Sequence, residues 1–496
     1  MLANFAGQGI SALMGIAFVP IYIRYLGVEA WGLVGFMAMM QAWLILLDMG
    51  LTPTLNREMA RFRAGAHSAQ GIRDLLRSLE IIYAGIALGI MLLVWLAAPW
   101  VAQHWLSAER LPAGTIAQAI AIMGVVLAAR MTEQVYRGAI QGLQHMVWLN
   151  GTQSVLAILR WAGAVVVLAE VEASIGAFFL WQGLVSVVSV LVLARQTYRY
   201  LPKAGRPARF DWVAIRAIRR FAGGVAAMFV LGRVLTQLDK LLLSALLPLH
   251  SFGVYMLAVA VSEALNFLAT PIATATSPRL TELVAHTDQS AVISTYHRAS
   301  QWVAALLVPP ALVMAVFAEP LLWAWAGDRA LAREAAPLLS LLALGTMFNG
   351  FMHMPYMAQL AHGWTALGVR LNFLAFALLV PTLFWAVPRF GAIAGAWIWL
   401  ALALIRVTIG IHFMHRKILQ GEQWQWYGRA VGLPLIVAGA VVMFFRVCIP
   451  FPAGRLPAAG FLIVLSGAIT LLVWATIQKK GVPVVQNAKN PMSENQ

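Results

Sequence analysis

The sequence predicts an all-α protein that crosses a membrane many times, and three observations lead to this fold class. Of the 496 residues, 61% are hydrophobic and 11% are charged, whereas a soluble globular chain carries about 25% charged residues. The mean hydropathy is +0.79. Apolar stretches follow one another along the chain, and a helix can satisfy its own backbone polar groups in lipid. A soluble enzyme and a disordered chain are therefore excluded.

Each apolar stretch long enough to cross the hydrocarbon is predicted to form one spanning helix, which gives about 14 helices. The connections are short, as expected for antiparallel neighbours, and none could hold a soluble domain. The predicted spans run near 4–25, 30–53, 79–102, 114–139, 147–169, 173–195, 221–246, 252–277, 299–323, 335–360, 364–387, 391–413, 430–448 and 457–477. The first is interpreted as a retained helix because no basic leader or cleavage site accompanies it; a short basic leader before Met1 is left open.

Lysine and arginine residues set the expected orientation. With the N-terminus inside, 22 of the 35 Lys and Arg residues fall in cytoplasmic segments and 7 in outer segments. This bias predicts that both termini lie in the cytoplasm. The net charge of +16 is then explained by orientation beside anionic lipid, above all at the basic segment before the seventh span, and not by nucleic acid. The single cysteine excludes an intrachain disulfide.

The first six predicted helices resemble the next six at an offset near 221 residues. The matching pairs include Trp31-Gly32 with Phe252-Gly253, Arg57 with Arg279, and Tyr136 with Tyr356. Parallel repeats of this kind are typical of transporters that bind substrate between their halves. The sequence is therefore divided into a first lobe (1–200), a basic cytoplasmic linker (201–220), a second lobe (221–415) and two extra helices with a tail (416–496).

Charged side chains within a span cost roughly 2.5–3.5 kcal/mol each, so they are expected to face protein or water. Arg233, Gln237 and Lys240 follow one face of the seventh span at i, i+4 and i+7. A second polar stripe occupies the repeat-related face of the first span and consists of Asn4, Gln8 and Ser11. Both faces are therefore predicted to border a shared central space.

The fourth span carries Arg130, Glu133 and Arg137 on one face, and the fifth carries Arg160. Two interpretations of the fourth-span group stay open, a structural ion pair within one helix or the lining of a cavity. Arg160, Arg233 and Lys240 lie deepest, which favours a role in a cavity. The sequence contains no Walker A loop, metal-ligand spacing or nucleophile elbow, so no cofactor, metal or enzymatic activity is expected.

The opening segment GQGISALMGIAFVPIYIRYLGVEAWGLVGFMAMMQAWLILLDMGLTPTLNREMARF resembles the start of polysaccharide flippases, which belong to the multidrug/oligosaccharidyl-lipid/polysaccharide (MOP) exporter superfamily. The stretch LTQLDKLLLSALLPLHSFGVYMLAVAV is similar to the start of that family's second lobe. The resemblance implies two six-helix lobes plus two helices in a bacterial inner membrane. It also implies the movement of an undecaprenyl-pyrophosphate-linked oligosaccharide, such as an O-antigen unit, to the outer leaflet.

Charge and resemblance together predict a substrate cavity and a gate. The cavity candidates are Arg233, Lys240, Arg160, Arg130, Gln237, Asn4, Gln8 and Ser11, and the gate candidates are Arg57 and Arg279. The expected partners are the lipid-linked glycan, the bilayer and other proteins of a glycan assembly locus. A cation-coupled multidrug antiporter of the same superfamily is one alternative, although it would need carboxylates in the cavity. A membrane glycan polymerase or ligase is the other.

Overall fold

The computed structural model describes residues 14–15, 17–48, 50–364 and 366–479, with the backbone alone at residues 45, 220–221 and 224–236. These residues are helical almost throughout. They contain no β-strand, and the one extended pairing among them is an isolated bridge between Ser107 and Pro248. The predicted all-α membrane fold class is confirmed.

The described chain divides into two compact units. The first unit comprises the described residues up to Leu257 together with Leu379–Ala392, and the second comprises the described residues of 258–378 and those from Ile393 onward. The predicted lobe boundaries at 200 and 221 stay a prediction. The helices that begin in the first unit are α1 (Val19–Leu26), α2 (Val28–Leu47), α3 (Leu51–Arg63), α4 (Ala69–Trp100), α5 (Ala113–Gly142), α6 (Met146–Glu170), α7 (Ile175–Tyr200), α8 (Trp212–Leu246) and α9 (Leu249–Glu263).

The remaining helices begin in the second unit or at its edge. Two short π-helical stretches, Arg406–Gly410 and Trp426–Gly432, each join two of these helices without a loop. The helices are α10 (Asn266–Ala285), α11 (Gln289–Val316), α12 (Ala318–Ala326), α13 (Arg329–Phe351), α14 (His353–Ala361), α15 (Ala366–Phe390), α16 (Ala392–Ile405), α17 (Ile411–Lys417), α18 (Gln423–Gln425), α19 (Leu433–Cys448) and α20 (Arg455–Lys479). The apolar core of the second unit is built mainly from α10, α11, α13, α19 and α20.

Ten helices of the described part are long and apolar enough to cross a membrane. An eleventh span results if α9 and α10, which meet at a 42° bend, are counted together. The three other predicted spans, near 4–25, 30–53 and 221–246, include residues or side chains outside the description. The exact number of 14 therefore stays a prediction.

Several helices begin at a serine or an aspartate whose side chain accepts a hydrogen bond from the first turn, at 2.8–3.1 Å. Such caps satisfy N–H groups that have no partner within the helix. They explain why these helices start where they do. The capping residues are Ser68, Ser174, Asp211, Asp288 and Asp328.

The basic segment before α8 is fixed to α4. Asp74 of α4 accepts hydrogen bonds from Arg206 Nη2 at 2.7 Å and from the Arg209 N–H at 2.9 Å. Ser78 Oγ accepts one from the Asp211 N–H at 2.7 Å. Because α8 begins at Trp212, the part of the predicted linker that is not helical is short and held against the first unit.

Candidate substrate-binding site

Two consecutive helices of the first unit, α5 and α6, bring buried charges together. A three-residue turn joins them, and Gln144 in that turn has φ +62°. So short a connection makes the two helices antiparallel neighbours. Arg130 and Glu133 lie on α5, and Gln153 and Arg160 lie on α6. The facing sides of α5 and α6 therefore form one polar cluster within a spanning pair of helices.

Glu133 lies at the centre of this cluster and is only 1% exposed. Its Oε1 atom accepts a hydrogen bond from Gln153 Nε2 at 3.0 Å and lies 3.9 Å from Arg137 Nη1. The carboxylate interacts electrostatically with Arg130, Arg137 and Arg160. One negative charge thus faces three positive charges, and the cluster retains an excess of two positive charges.

Two of the arginines keep hydrogen-bond donors without a protein partner. Arg160 is 6% exposed, and its Nε and Nη2 atoms have no hydrogen-bond partner among the described residues. Within the same described set, the Nε atom of Arg130 is also buried without a partner. A buried donor left unsatisfied costs about 1–3 kcal/mol. The planar guanidinium matches two oxygens of a phosphate, so these donors fit an anionic phosphoryl ligand.

A cavity of about 460 Å³ lies beside the cluster, between the end of α2, the start of α3 and the middle of α5. A space of this size is typical of a small-molecule site. Arginine, glutamine and aspartate side chains alternate with apolar ones around it. The lining residues are Gln41, Leu44, Asp48, Gly50, Thr52, Pro53, Arg130, Met131, Gln134 and Arg137.

Asp48, the one acid in the cavity wall, is already hydrogen-bonded by its neighbours. The hydroxyl groups of Thr52 and Tyr83 donate to its Oδ1 atom, and the Thr52 N–H lies 3.3 Å from both carboxylate oxygens. These bonds hold the carboxylate at the break between α2 and α3. The wall thus carries two arginines, Arg130 and Arg137, against one carboxylate, and this excess of positive charge favours an anion over a cation.

Two glycines of α5 allow α3 to approach closely enough to form the cavity wall. A Cβ atom at Gly138 would lie 2.9 Å from the Thr52 carbonyl oxygen, and one at Gly142 would lie 2.2 Å from the Asn56 carbonyl oxygen. Small residues four positions apart are a common means of close helix packing in membranes. The backbone contact fixes the start of α3 against the charged face of α5.

The structure brings two of the predicted cavity residues, Arg130 and Arg160, into one cluster with Glu133. Both earlier interpretations of the fourth-span group apply, because Arg137 approaches Glu133 while Arg130 and Arg137 also line a cavity. Gln237 and Lys240 are buried on α8 in the same unit. The remaining candidates lie outside the described side chains: Arg233, Asn4, Gln8 and Ser11.

The two predicted gate residues are each held in a local ion pair. Arg57 Nη1 lies 3.2 Å from Oε1 of Glu58, and Arg279 Nη1 lies 2.9 Å from Oε2 of Glu282. About half of each arginine side chain is exposed. A role of either residue in gating stays a prediction.

Of the ten residues in the cavity wall, only Arg130 was predicted as a site residue, and the polar residues that were missed include Gln41, Asp48, Gln134 and Arg137. A signal for two of them was present, because Gln134 and Arg137 follow Arg130 at i+4 and i+7 on one helix face. Gln41 and Asp48 are likewise seven residues apart on α2 and its end. Only packing shows that these two faces meet. Among the described residues, no group of three or more His, Cys, Asp or Glu could hold a metal ion.

Comparison with known proteins extends this picture. The family model described as "Polysaccharide biosynthesis protein" matches residues 1–284, and the MatE model matches residues 225–385. A curated relative, the putative O-antigen transporter of Shigella flexneri, is 19% identical over 396 residues. That match covers 80% of this chain and 92% of the relative.

Solved structures share the fold. The lipid II flippase MurJ in an inward closed conformation has a TM-score of 0.73 at 11% identity, covering 97% of this chain and 98% of that one. An inward-facing multidrug resistance MATE family transporter of the MOP superfamily has a TM-score of 0.64 at 13% identity, covering 83% and 96%. Because the first family model matches more than half of the chain, the protein belongs to the polysaccharide biosynthesis protein family, in agreement with the resemblance seen in the sequence.

Proposed function

We propose that the protein moves an undecaprenyl-pyrophosphate-linked oligosaccharide, such as an O-antigen unit, from the inner to the outer leaflet of a bacterial inner membrane. The observation that carries the proposal is the cluster of three arginines around one carboxylate, next to a cavity of about 460 Å³. A pyrophosphate is the anionic group of this substrate, and a desolvated arginine cluster binds phosphate oxygens strongly. The name of the Shigella relative agrees with such a substrate.

In this proposal each part of the substrate has its own contacts. Arg130 and Arg137 meet the pyrophosphate in the cavity, and the buried charge of Arg160 raises the positive potential there. Gln41 and Gln134 donate and accept hydrogen bonds at the same wall, as sugar hydroxyl groups require. The lipid tail stays in the bilayer. The protein changes the position of the substrate and forms no covalent product.

The remaining predicted residues belong to the same proposal. Gln237, Lys240, Arg233, Asn4, Gln8 and Ser11 are proposed to contact the substrate during alternating access. Arg57 and Arg279 are proposed to act as a gate at the cytoplasmic side, with both termini in the cytoplasm. Variants of these residues test this extension separately from the α5–α6 cluster.

A cation-coupled multidrug antiporter is the second candidate, because the MatE model matches residues 225–385 and a MATE transporter shares the fold. Such a protein attracts cations and needs free carboxylates. In the described cluster and cavity the two acids, Glu133 and Asp48, are each engaged by neighbours while arginines are in excess. The electrostatics therefore favour the anionic glycolipid.

The test is surface glycan display in a strain that lacks its own flippase and carries this protein. Arg130→Gln and Arg160→Gln should each lower display about tenfold, because each removes a charge-assisted interaction with phosphate. Arg389→Gln is the matched control, since Arg389 is an exposed arginine packed over Trp385, 4.9 Å from its ring centroid. Immunoblots verify that all variants reach normal protein levels.

The outcome separates the two candidate functions. Full glycan display in the Arg130→Gln and Arg160→Gln double variant would contradict the proposed site. Efflux of a cationic dye that depends on this protein, together with absent glycan display, would support the antiporter instead.

A further inference from the structure

A second cavity lies in the second unit, far along the chain from the cluster described above. It occupies the end of the unit where α11 and α19 finish and where α13 and α20 begin, and its volume is about 460 Å³. By the predicted topology this end faces the outer side of the membrane. Because spanning helices end there, the cavity lies at the level of lipid headgroups. We call it the outer groove.

The outer groove carries an excess of positive charge. Its walls include three arginines, Arg329, Arg333 and Arg446, and one acid, Glu319. Arg333 Nε pairs with Glu319 Oε1 at 3.1 Å. This pair compensates one arginine, so Arg329 and Arg446 remain as two uncompensated cations in the groove.

Both remaining guanidinium groups are packed against aromatic rings. Arg329 lies 4.7 Å from the ring centroid of Trp323, and Arg446 lies 5.7 Å from that of Phe317. In the described part of the chain, neither side chain makes a hydrogen bond or an ion pair with a protein atom. Packing over a ring orients a guanidinium group and leaves its N–H edge free to bind an acceptor.

The rim of the outer groove is held in place by local contacts. Asp328 accepts hydrogen bonds from the N–H groups of Ala330 at 2.8 Å and Leu331 at 3.1 Å, which fixes the start of α13. Gly327, with φ +79°, ends α12 in a conformation that favours glycine. Arg455 Nη2 approaches the carbonyl oxygen of Trp325 at 3.3 Å. The backbone that carries the arginines of the outer groove is therefore fixed by these local hydrogen bonds.

We propose that the outer groove binds the phosphate group of an anionic phospholipid from the surrounding bilayer. Three observations favour a lipid over other anions. The net charge of the groove complements a phosphodiester, the position matches the headgroup level, and apolar side chains flank the arginines. Val447 and Leu456, next to Arg446 and Arg455 in the chain, are 76% and 86% exposed and are available to acyl chains.

The test measures thermal unfolding of the full chain in detergent with added phosphatidylglycerol or phosphatidylcholine. A ligand that binds the folded state raises the unfolding midpoint in proportion to its affinity. Phosphatidylglycerol should raise the midpoint of the wild-type protein more than phosphatidylcholine does. The double variant Arg329→Gln and Arg446→Gln should weaken the apparent phosphatidylglycerol affinity by about tenfold for each arginine removed.

Two further variants make the result decisive. Arg389→Gln, which removes an arginine packed over Trp385 in the first unit, should leave the phosphatidylglycerol effect unchanged. The charge-conserving double variant Arg329→Lys and Arg446→Lys should give an intermediate affinity, because lysine cannot bind phosphate with two parallel N–H groups. An equal phosphatidylglycerol effect in the wild-type protein and the glutamine double variant would overturn the proposal.

A third titration, with inorganic phosphate alone, distinguishes a lipid phosphate from a soluble phosphate as the ligand of the outer groove. The lipid proposal expects no stabilisation by inorganic phosphate at millimolar concentration, since the apolar contacts are then missing. Stabilisation by inorganic phosphate equal to that by phosphatidylglycerol, lost in the glutamine double variant, would assign the outer groove to a soluble anion and overturn the lipid assignment. Because the outer groove shares no residue with the α5–α6 cluster, its test is independent of the proposed flippase substrate.

Discussion

The α5 helix of the first unit and the stretch α13–α14 of the second occupy the same position in the predicted repeat, yet their chemistry differs. In the first unit this stretch carries Arg130, Glu133 and Arg137 beside a cavity. By the predicted pairing of Tyr136 with Tyr356, 220 residues later, the second unit has Gly350, His353 and Met357 at these positions. None of the three is an arginine or a carboxylate, and the one polar side chain, His353, lies 2.9 Å from the Gly350 carbonyl oxygen. The two stretches that the predicted repeat matches are both helical, but among the described residues the arginine–glutamate cluster lies in the first of them.

The backbone differs at the same place. Helix α5 runs without interruption from Ala113 to Gly142, whereas its counterpart stops at Phe351 and starts again at His353. An unbroken helix keeps charges at i, i+3 and i+7 on one face, as a shared cluster requires. A break between these positions turns the side chains after it away from that face. Continuity of α5 is thus part of how the charged cluster is built.

Two contacts between polar groups of the second unit are local pairs. Arg406 Nη1 donates to Asn349 Oδ1 at 3.2 Å, and His297 Nε2 lies 2.7 Å from Glu422 Oε2. In the first unit, by contrast, one carboxylate is shared by three arginines. The difference teaches that the first unit gathers several charges around one carboxylate, whereas these two contacts of the second unit each join only two side chains.

The largest expected effect comes from Glu133→Gln, which removes the single negative charge among the three arginines. The free energy of unfolding should fall by about 3 kcal/mol, since breaking a buried ion cluster leaves uncompensated charges. The measurement is the thermal unfolding midpoint in detergent. Glu422→Gln in the second unit is the control and should cost about 1 kcal/mol, because the hydrogen bond with His297 Nε2 loses its charged acceptor. Equal destabilisation by the two substitutions would remove the contrast between the units.

Gly142→Ala should destabilise by about 2 kcal/mol, because the new Cβ would lie 2.2 Å from a backbone oxygen of α3 and the helices must separate. The second-unit control is Gly350→Ala, whose Cβ would lie 2.3 Å from Cδ2 of Leu307, a side-chain end that can rotate. Its cost should be about 1 kcal/mol. Unfolding midpoints measure both, and a larger loss for Gly350→Ala would show that backbone contact does not limit the first unit.

Arg160→Met sharpens the comparison because it removes charge while keeping the length of the side chain. The free energy of unfolding should stay unchanged or rise by about 1 kcal/mol, since like-charge repulsion from Arg130 and Arg137 is relieved. Glycan display should nevertheless fall about tenfold. Arg406→Met should show the reverse, with stability lowered by about 1 kcal/mol through loss of the bond to Asn349 and display retained. Poor folding of Arg160→Met would assign Arg160 a structural role.

The smallest change in stability is expected for the gate candidates. Arg57→Gln and Arg279→Gln should each alter the free energy of unfolding by less than about 0.5 kcal/mol. Glu58, the buried partner of Arg57, keeps its contacts with Arg61 and His67. The Arg279–Glu282 pair is exposed on both sides and is screened by water. A gate role predicts reduced glycan display at this unchanged stability. Wild-type display in both variants would leave Arg57 and Arg279 as surface ion pairs.

Much of this site could be predicted from the sequence, but only helix by helix. The period of 3.6 residues puts Arg130, Glu133 and Arg137 on one face, and the length of the turn makes α6 the neighbour of α5. The sequence does not show that Gln153 donates a hydrogen bond to Glu133, or that Gln41 and Gln134 line one cavity. Those contacts depend on the distance between packed helices and on the rotation of each helix about its axis. A pattern within one stretch of sequence carries no information on either quantity.

The sequence by itself determined that the chain is a helical membrane protein with buried positive charge, because hydropathy and helical period are properties of local stretches. Tertiary structure alone decided which charges share a carboxylate, where donors such as Arg160 Nη2 stay unsatisfied, and where a cavity remains. The physical reason is that a charge's surroundings are set by the close approach of other helices, as at Gly142 against α3, and that approach is a property of the packed protein.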